Sequence, residues 1–248
     1  MRKLAARLGV VVVGVIVGVP SIGRAQMPPP AAVSRVTVTQ VKPDMLDEWL
    51  DLQKNELMPA LKKGGVKTRT VYSSGLFGTA GEYVSIVPVE KFASFDEPNP
   101  QTKALGAEGA ARLTAKLRKC IVSQHSYLTT RIADLSNTTQ TPPNFITVTR
   151  VRIPAGKAAE FQNIVKTEIT PVYKKANVSL TVSQRGVGGN PSDFTLSSGL
   201  TKMADMDGGS PLVKALGQEA FLKLAAKITA LGPVIDQVLR ARVNDLSF

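Results

Sequence analysis

Pro100-Gln101-Thr102-Lys103-Ala104-Leu105-Gly106-Ala107-Glu108 returns 111 residues later as Pro211-Leu212-Val213-Lys214-Ala215-Leu216-Gly217-Gln218-Glu219. At the same offset Arg131-Ile132-Ala133-Asp134-Leu135-Ser136 returns as Arg242-Val243-Asn244-Asp245-Leu246-Ser247. No gap is needed between these anchors. Across residues 91–136 and 202–247, 17 of 46 positions are identical, where unrelated segments of ordinary composition would share about three. Self-similarity at one fixed period marks a duplicated structural unit.

The duplication extends backwards more loosely. Val36-Thr37-Val38-Thr39 matches Ile146-Thr147-Val148-Thr149, and Pro59, Lys62 and Lys63 match Pro171, Lys174 and Lys175. Gly75, Gly78 and Tyr83 match Gly186, Gly189 and Phe194. Repeat 1 therefore spans residues 33–136 and repeat 2 residues 144–248. Residues 137–143, polar and ending in two prolines, read as a linker.

One unit can be read element by element. Residues 36–41 alternate β-branched and polar side chains, as a half-buried strand does. Asp44 reads as a helix N-cap. After it Leu46, Trp49, Leu50, Gln53, Leu57 and Leu61 recur at helical spacing. Pro59 and Pro171 fall late in their helices, where a missing donor and a ring clash predict a kink or break. Residues 66–74 and 83–89 read as strands joined through a glycine-rich loop. Residues 108–120 read as a second helix with Leu113 and Leu117 on one face, and residues 122–132 as a last strand. The order β-α-β-β-α-β is that of the ferredoxin-like unit, a four-stranded antiparallel sheet under two helices.

In these features the chain resembles a tandem member of the dimeric α+β barrel superfamily, which includes antibiotic-biosynthesis monooxygenases and NIPSNAP-type proteins. The resemblance rests on the first strand, Lys42-Pro43 leading into the Trp49 helix, Pro59 with its lysines, the glycine-rich hairpin and Tyr83-Val84-Ser85-Ile86. Phe161, Pro171 and Phe194 repeat the pattern. It implies an α+β fold in which two tandem ferredoxin-like units form an intramolecular pseudo-dimeric barrel, helices outside. The superfamily holds enzymes, haem proteins and binding proteins, so the resemblance implies a fold and no one activity. Homo-oligomers are compatible with it.

The N-terminus lies outside this scheme. Arg2, Lys3 and Arg7 precede an apolar or glycine run, residues 8–19, and Gly23-Arg24-Ala25 supplies small residues for cleavage after Ala25. Residues 1–25 thus read as a signal peptide, and the proline-rich residues 26–32 as a disordered mature N-terminus. The apolar run is shorter than the ~20 residues of a membrane span, so no stable span is expected after cleavage, and the address is periplasmic or secreted. Removing four basic residues leaves 27 basic against 19 acidic, net +8. The lysines are dispersed rather than clustered with aromatics, which argues against nucleic acid as a partner. Cys120, the sole cysteine, permits no intrachain disulfide.

A search for chemistry returns exclusions. One histidine, His125, and one cysteine leave too few ligands for a metal, so no metal and no cofactor is expected. Some relatives in the superfamily hold haem through a histidine, but His125 reads as a strand-surface residue and its repeat partner is Asp236. Gly186-Val187-Gly188-Gly189 falls in a hairpin, where turn geometry explains it better than phosphate binding. Arg131 with Asp134, and Arg242 with Asp245, read as structural ion pairs. The remaining set is polar and aromatic: Trp49, Arg69, Tyr72, Tyr83 and Tyr127, all in repeat 1 with mostly dissimilar counterparts. Of these, Trp49, Tyr72, Tyr83 and Tyr127 are the candidate ligand-binding residues. Strand alternation sets Arg69 and Tyr72 on opposite sheet faces. The function expected is a non-catalytic cell-envelope protein that binds a small apolar or aromatic molecule or acts as a scaffold. The alternative is a cofactor-free monooxygenase-like enzyme acting on an aromatic substrate.

Overall fold

A computed structural model describes residues 32–139 and 142–248. The expected signal peptide and all but the last residue of the proline-rich segment lie outside the described residues, as do two residues of the linker. In repeat 1 strand β1 (Val33–Val41) leads into helix α1 (Leu46–Asp51), a π-helical stretch (Leu52–Leu57) and helix α2 (Met58–Lys63). Strands β2 (Thr70–Phe77) and β3 (Glu82–Pro88), helix α3 (Pro100–Lys119) and strand β4 (Ile121–Arg131) complete it. Repeat 2 runs β5 (Phe145–Arg152), α4 (Ala158–Ile164), a π-helical stretch (Val165–Ile169), α5 (Thr170–Lys175), β6 (Leu180–Arg185) and β7 (Asp193–Leu200). It ends with α6 (Pro211–Leu216), α7 (Gln218–Leu231) and β8 (Val234–Arg242).

The eight strands form one closed antiparallel barrel in the order β1-β3-β2-β8-β5-β7-β6-β4. Each repeat contributes four neighbouring strands, and the edges meet at two seams. Tyr72 pairs with Arg242 across one, and Thr129 with Arg185 across the other. Closure leaves no strand edge free to recruit another chain.

Each strand offers one row of side chains to the lumen and one to the helices. On the outside of repeat 1, Val41, Trp49, Leu52, Leu57, Leu61, Val71, Leu113 and Leu117 pack as one core. Val151, Phe161, Val165, Ile169, Leu180, Val182, Phe194 and Leu224 do the same in repeat 2. Inside the barrel, Val36, Val84 and Tyr127 form one cluster, and Tyr72, Ile146 and Val148 another.

The repeated Arg-x-x-Asp-Leu-Ser segment exchanges partners between the repeats. Leu246, at the end of repeat 2, is buried in the helical core of repeat 1, and Leu135 in that of repeat 2. Ser247 Oγ accepts from the Val71 amide, as Ser136 Oγ does from the Val182 amide. The expected Arg131–Asp134 and Arg242–Asp245 ion pairs do not form. Asp245 pairs instead with Lys54 at 2.9 Å, and Asp134 with Lys166 at 3.5 Å. The strand row of Arg131 and Arg242 faces the lumen, while each aspartate sits on the turn beyond, against the other repeat's helix. The segment is thus a lock, but a crosswise one.

The prolines act as expected, with a definite outcome. Both helices widen into a π stretch just before Met58-Pro59 and Thr170-Pro171. The wider turn relieves the clash between the proline ring and the carbonyl one turn earlier. Other boundaries move. The strand expected from residue 66 begins at Thr70, and Asp44 makes no cap bond but lies in a 3-10 turn, Pro43–Met45. The second helix starts at Pro100 rather than residue 108. Asn99 caps it by accepting from the Thr102 amide, and Ser210 caps its counterpart through Val213. Gly106 (φ 71°) and Gly217 (φ 78°) bend these helices in a region essentially reserved for glycine, which explains the repeated Lys-Ala-Leu-Gly.

Candidate functional site

The cleft between the α1–α2 helix and the sheet of repeat 1 holds the polar network that distinguishes the two halves. Trp49 lies within α1 and Gln53 stands four residues on, in the π stretch, on the same face. Opposite them β3 presents Tyr83 and Ser85 from its outer row. The Trp49 and Tyr83 rings lie with centroids 4.5 Å apart, tilted by 41°. Arg69 enters from the segment before β2. Its Nε donates to Ser85 Oγ at 2.9 Å and its Nη2 to Gln53 Oε1 at 2.8 Å.

Arg69 is 5% exposed and Gln53 4%, yet no carboxylate pairs with the guanidinium. Burial alone pushes its pKa down to about 10, because removal from water disfavours the charged form. Its Nη1 is buried with no hydrogen-bond partner, and so is Trp49 Nε1. Burial, with the negative charge of Asp47 adding to it, raises the Tyr83 hydroxyl above the usual tyrosine range. Two donors without acceptors, one on a buried unpaired cation, leave this cleft electrostatically incomplete.

The cleft is also braced by the other repeat. The Arg69 amide donates to Phe248 O at 2.7 Å, and the Phe248 amide donates back to Arg69 O at 2.8 Å. Lys62 Nζ stands 4.8 Å over the Phe248 ring. Leu180 makes the same reciprocal backbone pair with Asn137 in repeat 2, so Arg69 and Leu180 are structural equivalents. The other equivalents are apolar as well. Phe161 stands for Trp49, Val165 for Gln53, Phe194 for Tyr83 and Leu196 for Ser85. Phe161 and Phe194 keep the ring pair, 4.9 Å apart at 51°. At these positions repeat 2 carries hydrocarbon where repeat 1 carries polar groups, while it buries Thr170, Tyr173 and Ser198 of its own.

The four aromatic residues expected to bind ligand divide across the sheet. Trp49 and Tyr83 meet in the cleft, while Tyr72 and Tyr127 face the lumen. Arg69 and Tyr72 do lie on opposite faces. Gln53 and Ser85 were not singled out by sequence reasoning, although a glutamine within an otherwise apolar helical stripe was a readable signal. His125 is on the lumenal row of β4, opposite Val38, so a haem in the cleft would find no imidazole there. Among the described residues no three His, Cys, Asp or Glu side chains are grouped to hold a metal ion, and no helix is long and apolar enough to cross a membrane.

No protein-family model and no curated protein matches the sequence. Solved structures do match the fold. A protein assigned as a monooxygenase from Lactobacillus acidophilus superposes with a TM-score of 0.55 at 13% identity, over 87% of this chain and 94% of that one. An anthrone oxidase-like protein gives 0.56 at 9%, over 86% and 91%. A chlorite dismutase variant from Candidatus Nitrospira defluvii gives 0.55 at 12%, over 88% and 94%. At such identities the likeness is one of fold. With the closed ring of eight antiparallel strands and the helices outside it, this chain is a dimeric α+β barrel with both halves in one polypeptide.

Proposed function

We propose that the protein binds a small, planar organic anion, an aromatic carboxylate or phenolate, in the repeat 1 cleft, with Arg69 as its counter-charge. One observation carries this reading: a 95%-buried arginine without a carboxylate, its Nη1 unpartnered, with an unpartnered indole N–H in the same helix–sheet layer. Natural cores do not keep such groups without compensation, and repeat 2 demonstrates that the fold does not need them. A ligand oxygen would accept from Nη1 in a charge-assisted bond, and the Trp49–Tyr83 pair offers aromatic surface beside it. Screening aromatic carboxylates and phenols by thermal shift, on wild type and Arg69→Leu, tests it. Stabilisation confined to the wild type supports the site; equal stabilisation of both proteins contradicts it.

A second reading is turnover of such a ligand with oxygen, as a cofactor-free monooxygenase. It is favoured by the Arg69 charge, which would stabilise the ionised substrate that such chemistry begins from. It ranks second because no histidine lies in the cleft, and the carboxylate whose charge reaches Tyr83, Asp47, makes no hydrogen bond to the network. Oxygen consumption in the presence of a bound phenol would promote it. Both readings take the protein to be exported, on the basic, apolar and small-residue order of residues 1–25. Secreted material with the mass of a chain beginning at Gln26 supports export; a full-length chain held in membranes opposes it.

A further inference from the structure

We propose that the barrel lumen is a separate binding site for a small oxyanion, with Arg185 and Arg242 as its donors. The lumenal rows carry far more charge than a sealed interior tolerates. Among the described residues Arg131, Arg150, Arg152, Arg185, Arg240 and Arg242 share them with three carboxylates, Glu82, Asp193 and Asp236. Register fixes these positions: Arg150 lies opposite Asp236, Arg152 opposite Asp193, and Arg242 opposite Tyr72.

The carboxylates are all engaged. Asp193 takes Arg152 at 2.7 Å and Arg150 at 3.4 Å, Asp236 also takes Arg150, and Glu82 takes Arg240 at 3.4 Å. Arg185 and Arg242 form no salt bridge, although the charges of Asp193 and Asp236 reach Arg185. Arg185 lies over the Tyr127 ring, 4.2 Å from its centroid, and Arg242 acts electrostatically on the Tyr72 hydroxyl. The Nε of each is buried and has no hydrogen-bond partner. A guanidinium with a free Nε matches the paired oxygens of phosphate, sulfate or carboxylate better than a spherical halide. Tyr72 and Tyr127 stand on the same lumenal rows, Tyr72 beside Arg242 and Tyr127 under Arg185.

Exposure falls along the charged lining, from 44% at Arg152 and 42% at Asp236 to 22% at Arg150 and 1% at Asp193. Arginine-lined walls that narrow into a low-dielectric interior concentrate anions. The site lies across the sheet from the Arg69 cleft and does not depend on it.

The test uses the mature protein and inorganic phosphate as the probe, with sodium chloride holding ionic strength constant. Phosphate should raise the melting temperature and bind in titration calorimetry. Arg242→Met and Arg185→Met should each weaken binding by about tenfold or more, the loss of one charge-assisted bond, whereas Arg69→Leu should leave it unchanged. Neither lumen variant removes a paired charge, and phosphorus NMR line broadening on the wild-type protein reads binding without any substitution. Phosphate acting no better than chloride, lumen variants binding like wild type, or weakening by Arg69→Leu alone would each overturn the proposal.

Discussion

Replacing Arg69 and Gln53 together by the residues of repeat 2, Arg69→Leu with Gln53→Val, should make the protein more stable. Burial lowers the Arg69 pKa well below the usual arginine range, to about 10, which corresponds to a penalty of about 3 kcal/mol at neutral pH. The sign follows from linkage. The folded state releases this proton before the unfolded state does, so the penalty is complete below about pH 10 and is relieved as pH rises above it. Two hydrogen bonds offset part of it, at about 1–3 kcal/mol for each partner left unsatisfied. Arg69→Leu alone strands the Gln53 carbonyl and should be close to neutral. The double variant removes both groups and leaves only the half-buried Ser85 hydroxyl, so a gain of about 2 kcal/mol is expected. Urea unfolding at neutral pH, followed by fluorescence of Trp49, measures all three proteins. A double variant less stable than wild type would refute the reasoning, since it would mean that the Arg69 network stabilises the fold rather than serving a ligand.

Other expectations concern the scaffold. Leu246→Ala and Leu135→Ala each remove a buried side chain from the opposite repeat's core, and each should cost about 2–5 kcal/mol in denaturant unfolding; a cost below about 1 kcal/mol would dismiss the crosswise lock. Gly106→Ala and Gly217→Ala should each destabilise by about 1–3 kcal/mol, from the backbone conformation that they hold. In alkaline absorbance titration Tyr72, Tyr83 and Tyr173 should ionise above the usual tyrosine range, because burial disfavours each phenolate. Their raised pKa values withdraw stability as pH climbs through them, opposite in sign to Arg69.

The architecture was largely open to sequence reading because duplication exposes it. An ungapped match at one offset revealed both units, and strand alternation separated Arg69 from Tyr72 correctly. Local chemistry was harder to read. The crosswise exchange of Leu135 and Leu246 is a tertiary choice, and the same Asp-Leu-Ser segment could have locked onto its own repeat. That is why Asp134 and Asp245 were matched to the nearest arginines in sequence rather than to Lys166 and Lys54. The early start of α3 was hidden by Gly106, which breaks the helical pattern without ending the helix. Grouping the aromatics by composition joined Trp49 and Tyr83 to Tyr72 and Tyr127, although the sheet stands between the pairs. The position that mattered most, Gln53, looked like a polar lapse in an apolar stripe, and its meaning emerged only against Val165 in repeat 2.

The most direct test of the central claim is native mass spectrometry of the mature protein purified from its own source, beside the Arg69→Leu, Gln53→Val double variant produced in the same way. An incomplete cleft completed by a ligand predicts a bound small organic anion on the wild type and none on the variant. An equally loaded variant, or a bare wild type that no aromatic carboxylate or phenol stabilises, would contradict it.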